Sequence, residues 1–412
     1  MTQPLFPKSM EWFARASKVI PAGIYGHAAP AAMVPLEFPY YAARAEGCRY
    51  WDVDGREYLD FLCGYGPMIL GHHHPEVEEA AERQRRLGDC FNHPTPVMVE
   101  LAERLVALVD FADWAVLGKN GSDMTTWAVQ VAREFTGRKK VLRARQSYHG
   151  SHSWCTPGHG GLIDEDRMHV HEFVWNDLNS VEDLAKKYRG QIAALIITPY
   201  LHPPFMDSEL AAPGFLTGLQ EICRKEEIVF ILDDVRAGFR LNLGGSHRYF
   251  GFEPDLICFS KALGNGHPIS ATLGRQELRV AASKVFLTGS FWYGAVPMAA
   301  ALACLRVLER DAVAAHVLKM GKLLTEGLQA GAARHGLSVR ISGPPSLPFM
   351  KFSNETNLLR QQRFCAEAVR RGVFFHPHHN WFISAAMKEA EVQQALKIAD
   401  EAFEVVREEF GD

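Results

Sequence analysis

The sequence predicts an α/β protein with a mostly parallel sheet in its middle and a smaller α+β domain. Three observations support this prediction. The chain of 412 residues is too long for one compact core of ordinary size. Short apolar runs alternate with longer helical patterns in the middle of the chain, as in parallel α/β sheets. After about residue 310 this alternation ends, and two helical patterns bracket a short β-like segment.

The middle of the chain supplies the strands and helices of the large domain. Five apolar runs are predicted as buried strands, namely residues 114–118, 139–144, 192–199, 227–234 and 255–260. One intervening stretch, residues 123–135, repeats large apolar side chains at steps of three and four residues: Met124, Trp127, Val131 and Phe135. Because this spacing places them on one face, the stretch predicts an amphipathic helix. Helices are also expected over residues 214–226 and 296–310.

Three parts of the chain are expected to form two domains. They are an N-terminal segment (1–64), a large domain (65–310) and a C-terminal domain (311–412). The N-terminal segment carries a hairpin pattern over 48–61, with Asp54 and Gly55 as turn residues. The C-terminal part predicts helices at 312–334, 357–371 and 388–410 and β-like segments at 337–343 and 381–386. We expect the N-terminal segment to pack with the C-terminal domain.

Charge and composition favour a protein without nucleic-acid or membrane partners. The formal net charge of −4 offers no basic surface for nucleic acid or acidic lipid. No apolar run is long enough to span a membrane, and the N-terminus lacks the features of a signal peptide. The eight cysteines are scattered without C-x-x-C spacing, which is typical of reduced thiols. The sequence therefore predicts a cytoplasmic protein.

Two histidine clusters, residues 71–77 and 376–380, invite a comparison with metal sites. The first places three histidines in a row, and these cannot all converge on one ion from a single strand or turn. We expect no metal at either cluster.

One predicted strand ends in two carboxylates. The apolar run 227–234 ends in Asp233 and Asp234. A carboxylate at the end of a buried strand is costly to desolvate unless a cation accompanies it. That cation is either an arginine such as Arg236 or Arg240, or a protonated ring nitrogen of a ligand.

A lysine follows the next predicted strand. Lys261 comes directly after the run 255–260 and precedes a glycine-rich segment. A solvated surface lysine is one interpretation. The other is a buried lysine whose lowered pKa makes it a nucleophile that forms a Schiff base.

A third strand leads into a short polar turn. After residues 114–118 the chain reads Gly121, Ser122, Asp123 and then the predicted helix. Free amide groups at a helix start favour a phosphate, and Gly121 would let the backbone approach such a ligand closely. A helix cap without a ligand explains the same residues.

These three strand ends match one cofactor. Ligands of open α/β sheets bind at the carboxyl ends of the strands. Pyridoxal phosphate (PLP) needs a lysine for a Schiff base, an acid opposite its pyridinium nitrogen and a phosphate site. Lys261, Asp233 and the turn at residues 121–123 would supply them.

Four stretches carry a resemblance to a known family. Residues 231–240 (ILDDVRAGFR) and 259–271 (FSKALGNGHPISA) resemble the carboxylate and cofactor-lysine motifs of the class III aminotransferases. Residues 147–150 (SYHG) resemble their ring-stacking Tyr-His-Gly, and residues 50–61 resemble their N-terminal hairpin. The resemblance runs nearly end to end and is nearest to the glutamate-1-semialdehyde 2,1-aminomutase subgroup. It implies a fold-type I PLP-dependent transferase with a seven-stranded-type, mostly parallel sheet.

The resemblance also implies roles for individual residues. Lys261 would form the Schiff base and move the proton, and Asp233 would keep the pyridine nitrogen protonated. Val235 and Tyr148 would pack on the two ring faces, with Tyr148 counted among the catalytic residues. The further cofactor-binding residues implied are Gly121, Ser122, Asp123 and His149, together with Thr288 and Ser290.

Thr288 and Ser290 imply a second chain. In the family, a hydroxyl from the partner subunit reaches the phosphate, and these two residues stand at that position. The resemblance thus implies a homodimer with shared active sites.

The substrate side departs from the semialdehyde aminomutases. Their N-terminal arginine serves the substrate carboxylate, and this chain has Ala29 there. Since alanine cannot replace a bidentate guanidinium, the usual aminomutase substrate is not expected. Aromatic and histidine residues are instead the candidates for the substrate pocket: Tyr25, His27, Trp292, Tyr293, His379 and Trp381.

The sequence thus predicts an aminotransferase that moves nitrogen between a small amino donor and an oxo acid or aldehyde. An aminomutase and a racemase remain alternatives, since both would use Lys261, Asp233 and the phosphate loop. A catalytically silent binding subunit is a further alternative, against which the presence of these residues argues.

Overall fold

The computed structural model describes residues 5–25, 30–353 and 355–411. It divides into two compact units. Unit 1 contains the described residues of Met1–His74, Pro204–Ser208 and His316–Asp412, and unit 2 contains Pro75–Pro203 and Glu209–Ala315. N- and C-terminal segments thus share one unit. The domain boundaries at 64/65 and 310/311 stay a prediction.

The described residues form thirteen strands. In chain order they are β1 (Ala42–Glu46), β2 (Arg49–Asp52), β3 (Glu57–Asp60), β4 (Trp114–Gly118), β5 (Lys140–Ala144), β6 (Val170–Phe173), β7 (Ile192–Ile197), β8 (Val229–Asp233), β9 (Leu256–Phe259), β10 (Ser270–Gly274), β11 (Val339–Ser342), β12 (Phe349–Phe352) and β13 (Val373–Phe374).

The same residues form fourteen α-helices. They are α1 (Pro7–Ala16), α2 (Pro30–Met33), α3 (Pro75–Leu87), α4 (Pro96–Leu108), α5 (Gly121–Thr136), α6 (Asp164–Arg167), α7 (Leu178–Lys187), α8 (Phe215–Glu226), α9 (Ser246–Phe250), α10 (Arg279–Lys284), α11 (Ala295–Arg310), α12 (Val313–Arg334), α13 (Leu359–Arg370) and α14 (Glu389–Phe410). Short 3₁₀ turns lie at Cys63–Tyr65, Lys261–Leu263 and Gln276–Leu278.

Unit 2 is built on a seven-stranded sheet in the order β4-β10-β9-β8-β7-β5-β6. The neighbours from β9 to β6 pair in parallel, whereas β10 is antiparallel to both β4 and β9. This confirms the predicted fold class. Strands β7 to β10 are buried at every position, because helices cover both faces of such a sheet.

Helix α5 packs its apolar face into the core of unit 2. Met124, Trp127 and Val131 are buried there, as the spacing predicts. Phe135 is 49% exposed although it continues the same spacing. It lies in the last turn of α5, one residue before the helix ends at Thr136. The spacing therefore identifies the buried face but not its length.

Unit 1 contains a four-stranded sheet, β1-β2-β3-β13, and a separate pair, β11-β12. Strands β2 and β3 form the predicted hairpin, and Gly55 adopts a φ of 87° in its turn, which suits glycine. The strand expected over 381–386 is wrong. The backbone amides of this segment donate to the carbonyls of four different residues, Phe61, Ile69, Ser346 and Pro348, so no ladder forms.

The described helices include none with the length and apolar character that a membrane crossing requires.

Candidate active site

The site lies at the carboxyl edge of the unit 2 sheet. Strands β7, β8 and β9 are hydrogen-bonded neighbours in parallel, so their carboxyl ends meet at one edge. Strand β10 is antiparallel to both β9 and β4, which makes β4 parallel to β9. The start of α5, which follows β4, therefore lies at the same edge. The predicted lysine, carboxylate and phosphate turn are thus brought to one edge by the topology.

Lys261 occupies a constrained turn directly after β9. Its φ is 46°, a left-handed conformation that costs a residue other than glycine about 1 kcal/mol. Ser260 Oγ donates to the carbonyl of Ile269 at 3.1 Å and closes the loop between β9 and β10. Lys261 is therefore held in place from both sides rather than lying on a free surface loop.

Burial lowers the pKa of Lys261 to about 7, and the positive charges of Arg236 and Arg240 act in the same direction. The carboxylate of Asp233 opposes them. At neutral pH a large fraction of the lysine is therefore the neutral amine, which is the nucleophilic form. Of the two interpretations of the sequence, these surroundings favour the buried nucleophile.

Asp233 is the last residue of β8 and is 5% exposed. His149 Nδ1 lies 2.9 Å from its Oδ2, and the amide of Val235 donates to its Oδ1 at 3.2 Å. His149 is itself buried, and its Nε2 has no hydrogen-bond partner among the described residues. The pair forms a fixed buried acid at the sheet edge.

Asp234, the next residue, takes part in different contacts. The backbone amide of Ser246 donates to its Oδ2 at 2.8 Å, and the Ser246 hydroxyl donates to its other oxygen. Burial raises the pKa of Asp234 to about 7, and Asp233 adds to this rise. The two carboxylates that the sequence places side by side therefore have different partners, and only Asp233 pairs with His149 at the site.

Asn120 is the N-cap of α5, and of the residues that the sequence indicated only Asp123 takes part in the cap. Asn120 accepts from the amide of Asp123 at 3.2 Å, and the Asp123 carboxylate accepts from the amide of Asn120 at 3.1 Å. This capping box occupies the Asp123 side chain. Gly121 and Ser122 become the first two helical residues, whose amides are free of helical bonds.

Close packing explains the glycine at position 121. A Cβ added there would lie 2.8 Å from Cγ1 of Val235, so the turn and Val235 are in direct contact. Ser122 Oγ accepts from the amide of Ser151 at 3.0 Å. Gly150, with a φ of 129°, permits this approach, since a Cβ there would lie 2.6 Å from Ser122 Oγ. The turn thus touches both Val235 and the segment after Tyr148.

Tyr148, Thr288 and Ser290 are accessible to solvent, Tyr148 at 39%. Thr288 and Ser290 lie on the loop between α10 and α11. The ring-stacking role of Tyr148 and the phosphate roles of Thr288 and Ser290 stay predictions.

The candidate substrate residues do not form one cluster within either unit. Tyr25, His379 and Trp381 belong to unit 1, Trp292 and Tyr293 belong to unit 2, and His27 lies outside the described residues. Tyr25 is 82% exposed. Trp381 is fully buried, and its ring stacks on Phe375 at 4.1 Å between centroids, as core residues do. Substrate contact by these residues stays a prediction.

Two residues at the site edge were missed by the sequence reasoning. Tyr200 and His202 follow β7, are buried, and place their rings 5.1 Å apart. Burial lowers the pKa of His202 well below its usual value, with Arg236 adding to the effect, so the ring is neutral. No sequence pattern marks them, because a tyrosine and a histidine in a proline-containing loop resemble ordinary loop residues.

These features fit a PLP site. A nucleophilic lysine, a buried carboxylate held by a histidine, and free helix-start amides lie at one sheet edge, and Gly121 is in close contact with Val235. PLP chemistry requires such a set. Among the described residues no group of histidine, cysteine or acidic side chains is arranged to hold a metal ion.

Comparison with known proteins identifies the class. Residues 32–404 match the class-III aminotransferase family, and the chain belongs to it. It is therefore a PLP-dependent aminotransferase.

The relatives include both transaminases and aminomutases. The chain is 42% identical to the aminopentol aminotransferase of Sphingopyxis macrogoltabida over 397 residues, 96% of this chain and 94% of the relative. It is 31% identical to the glutamate-1-semialdehyde 2,1-aminomutase of Syntrophobacter fumaroxidans over 421 residues, 95% and 96% of the two chains. The structure of the FumI protein of Sphingopyxis sp. MTA144, in its PLP internal aldimine form, matches with a TM-score of 0.96, 41% identity and 98% coverage of both chains.

Proposed function

We propose that this aminotransferase takes nitrogen from a primary amine whose amino-bearing carbon carries no carboxylate, and delivers it to an oxo acid. The relative with 42% identity is named for an amine, aminopentol. Position 29, which lies outside the described residues, is alanine where the semialdehyde aminomutases have a carboxylate-binding arginine. Both observations support an amine donor over the usual aminomutase substrate.

The reaction balances without a further reactant. The donor amine loses its nitrogen and becomes a ketone or an aldehyde. The oxo acid gains that nitrogen, with the hydrogen and electron pair that its carbon needs, and becomes an amino acid. Water supplies the carbonyl oxygen of one product and carries away that of the other.

The half-buried Lys261 is the observation that carries the chemistry of this proposal, whereas the relative and position 29 carry the choice of donor. The Lys261 pKa of about 7 leaves the amine unprotonated often enough that Lys261 would be the residue that holds PLP. When it is free, the same amine would take the proton from the amino-bearing carbon of the donor and hold it for return. PLP, when bound, supplies the electron-withdrawing ring that makes this proton removal possible.

Asp233 serves the ring nitrogen in this proposal. Its carboxylate is fixed by His149 at 2.9 Å and by the Val235 amide at 3.2 Å. A fixed carboxylate keeps a facing pyridine nitrogen protonated. The amides of Gly121 and Ser122 at the start of α5 would hold the phosphate, and Val235 would lie beneath the ring.

We further propose that the enzyme is a homodimer whose partner chain contributes Thr288 and Ser290 to the phosphate. The exposed loop that carries them also carries Phe286 and Phe291, which are 85% and 67% exposed. Such apolar exposure on one loop supports an interface. The mass of the holoenzyme in solution, measured by light scattering, tests this. A cytoplasmic location is also proposed, supported by eight free cysteines.

Spectroscopy and product analysis test the proposed activity. The holoenzyme is mixed with 2-aminobutane, 3-aminobutan-2-ol or glutamate, and pyruvate is then added. We expect the amines to change the visible cofactor band, pyruvate to restore it, and alanine to form. Alanine formation from glutamate but from neither amine would contradict the proposal. Isomerisation of an amino aldehyde without an acceptor would also contradict it.

Lys261→Ala is expected to lower alanine formation by at least about 10³-fold, because the group that both attaches the cofactor and moves the proton is lost. Lys284→Ala is the matched control, since Lys284 pairs with Glu134 on the surface. Full activity of Lys261→Ala would refute the role of Lys261.

A further inference from the structure

We propose that Arg236 binds the carboxylate of the oxo-acid acceptor, with Tyr200 and His202 as neutral hydrogen-bonding groups beside it. The inference rests on the proposed function, because it names the residue that recognises the acceptor in that reaction.

The topology places the three residues beside Lys261. Tyr200 and His202 follow β7, Arg236 follows β8, and Lys261 follows β9. These strands are adjacent and parallel, with Ile197 paired to Leu232 and Asp233 paired to Cys258. Short segments beyond three neighbouring strand ends therefore meet at one edge, where the reacting nitrogen must lie.

The charges near Arg236 favour an incoming anion. Arg236 lies close enough to Lys261 and His202 to lower the pKa of both, and Arg240 adds positive charge at Lys261. Burial lowers the pKa of Arg236, and Tyr200 and Asp233 act against this lowering. A ligand carboxylate would reduce this concentration of positive charge.

Tyr200 and His202 offer hydrogen bonds without charge. Tyr200 Oη and His202 Nε2 are buried, and within the described part of the chain neither has a hydrogen-bond partner. A buried polar atom left without a partner costs about 1–3 kcal/mol, which a ligand oxygen would recover. Burial raises the pKa of Tyr200 and lowers that of His202, so both stay neutral.

The loop that carries Tyr200 is fixed before any ligand binds. Thr198 Oγ1 donates to the carbonyl of Tyr200 at 2.8 Å. Leu201 and Glu209 exchange two backbone hydrogen bonds, at 2.9 and 2.7 Å. Because both sides of the loop are held, the two polar groups are preorganised, and little conformational entropy is lost when an acceptor binds.

Arg236 also offers what position 29 lacks. A guanidinium binds a carboxylate through two parallel hydrogen bonds, which neither a lysine nor a neutral group reproduces. The chain has alanine where the aminomutases resembled above place such an arginine. Arg236 would bind the carboxylate from a different part of the chain, directly after β8.

The test compares a charged with an uncharged acceptor in the holoenzyme. Steady-state KM and kcat are measured for pyruvate and for butanal, with the dissociation constant of the unreactive carboxylate propanoate measured by calorimetry. Arg236→Met is expected to raise the KM for pyruvate and the propanoate constant by about 10- to 100-fold, as for a lost charge-assisted pair. The kcat/KM for butanal should fall less than that for pyruvate, because the variant raises the pKa of Lys261 but removes no contact to an uncharged acceptor, and the visible cofactor band should persist.

Three further variants sharpen the test. Arg236→Lys should recover part of the pyruvate affinity, because it keeps the charge but loses the planar fork. Tyr200→Phe should raise the pyruvate KM less than Arg236→Met does. Arg248→Met should change nothing, since Arg248 pairs with Asp110 elsewhere in unit 2.

The outcomes separate this inference from the proposed function. If Arg236→Met and Arg236→Lys leave pyruvate and propanoate binding unchanged, or reduce butanal turnover equally, the role of Arg236 is overturned while the transaminase stands. If the wild-type enzyme uses butanal but no oxo acid, the proposed acceptor is wrong and the inference falls with it.

Discussion

Two regions of the molecule are rich in titratable residues. One is formed by the ends of β8 and β9 in unit 2, and the other is the histidine-rich turn 376–380 in unit 1. Only the strand ends combine buried charges of both signs. At the strand ends, Asp233 and Lys261 lie near each other, and the pKa of the lysine is shifted. In the turn, His376 and His378 are buried among aromatic rings such as Tyr65.

His378 in this turn is packed as a neutral ring. His378 Nε2 lies 2.9 Å from the side-chain amide of Gln362, and burial lowers the pKa of His378 to about 4. A cluster of histidines in a sequence therefore does not by itself indicate chemistry. Buried groups of opposite charge that lie close together are a better indicator of a functional site.

Asp233→Asn is the substitution that should affect the charged region most. An amide keeps the size of the side chain but removes the negative charge that stabilises a protonated ring nitrogen. We expect kcat to fall about 10²- to 10³-fold, the scale found when one preorganised electrostatic group is removed. His378→Gln is the matched control from the turn, and its kcat should be unchanged. An equal fall in kcat in the two variants would show that the two regions do not differ in their importance for catalysis.

The pH dependence of cofactor attachment should reveal the shifted lysine. With a pKa of about 7, the neutral fraction of Lys261 in the apoenzyme falls about tenfold for each pH unit below 7. The rate of PLP attachment, followed by absorbance in stopped flow, should fall accordingly between pH 7 and pH 5. Arg236→Met should move the midpoint to higher pH, since a nearby cation is removed. A midpoint near 10 in the wild-type apoenzyme would contradict this.

The histidine-rich turn 376–380 should lower the stability of the fold at acid pH. His378 has a folded pKa of about 4, below the value near 6.5 of an exposed histidine, so the unfolded chain binds the proton first. Stability is therefore lost as the pH falls from about 6.5 towards 4, by up to about 1.4 kcal/mol per pH unit. In urea titrations at pH 7.5 and pH 5, His378→Gln should lose less stability than the wild type on acidification. Equal losses would show that His378 does not couple to folding.

The sequence predicted the parts of this fold that depend on local pattern. Continuous apolar runs identified β4, β5, β7, β8 and β9. Strands β6 and β10 were missed, because Val170–Phe173 contains a histidine and a glutamate, and Ser270–Gly274 contains small and polar residues. Their strand character comes from pairing with neighbours, not from a pattern within them.

In the candidate site, too, only the residues with a local sequence pattern were predictable. Lys261 and Asp233 stand out because a charged residue directly after a buried strand is expensive. The pairing of His149 with Asp233 spans 84 residues, and no local rule connects them. Tyr200 and His202 are functional candidates only because their polar atoms are buried and have no hydrogen-bond partner among the residues that the structure describes, which is a property of the folded chain.

The antiparallel strand β10 has a consequence for the covalent chain. Since β9 and β10 pair directly, with Phe259 beside Ala271, the loop that carries Lys261 begins and ends about 4.8 Å apart on the sheet. A cut at the exposed Gly266 would leave each new end anchored by its own strand. Lys261 is thus positioned by the sheet rather than by the continuity of its loop, which makes this loop a natural point at which to open the chain for a circular permutant.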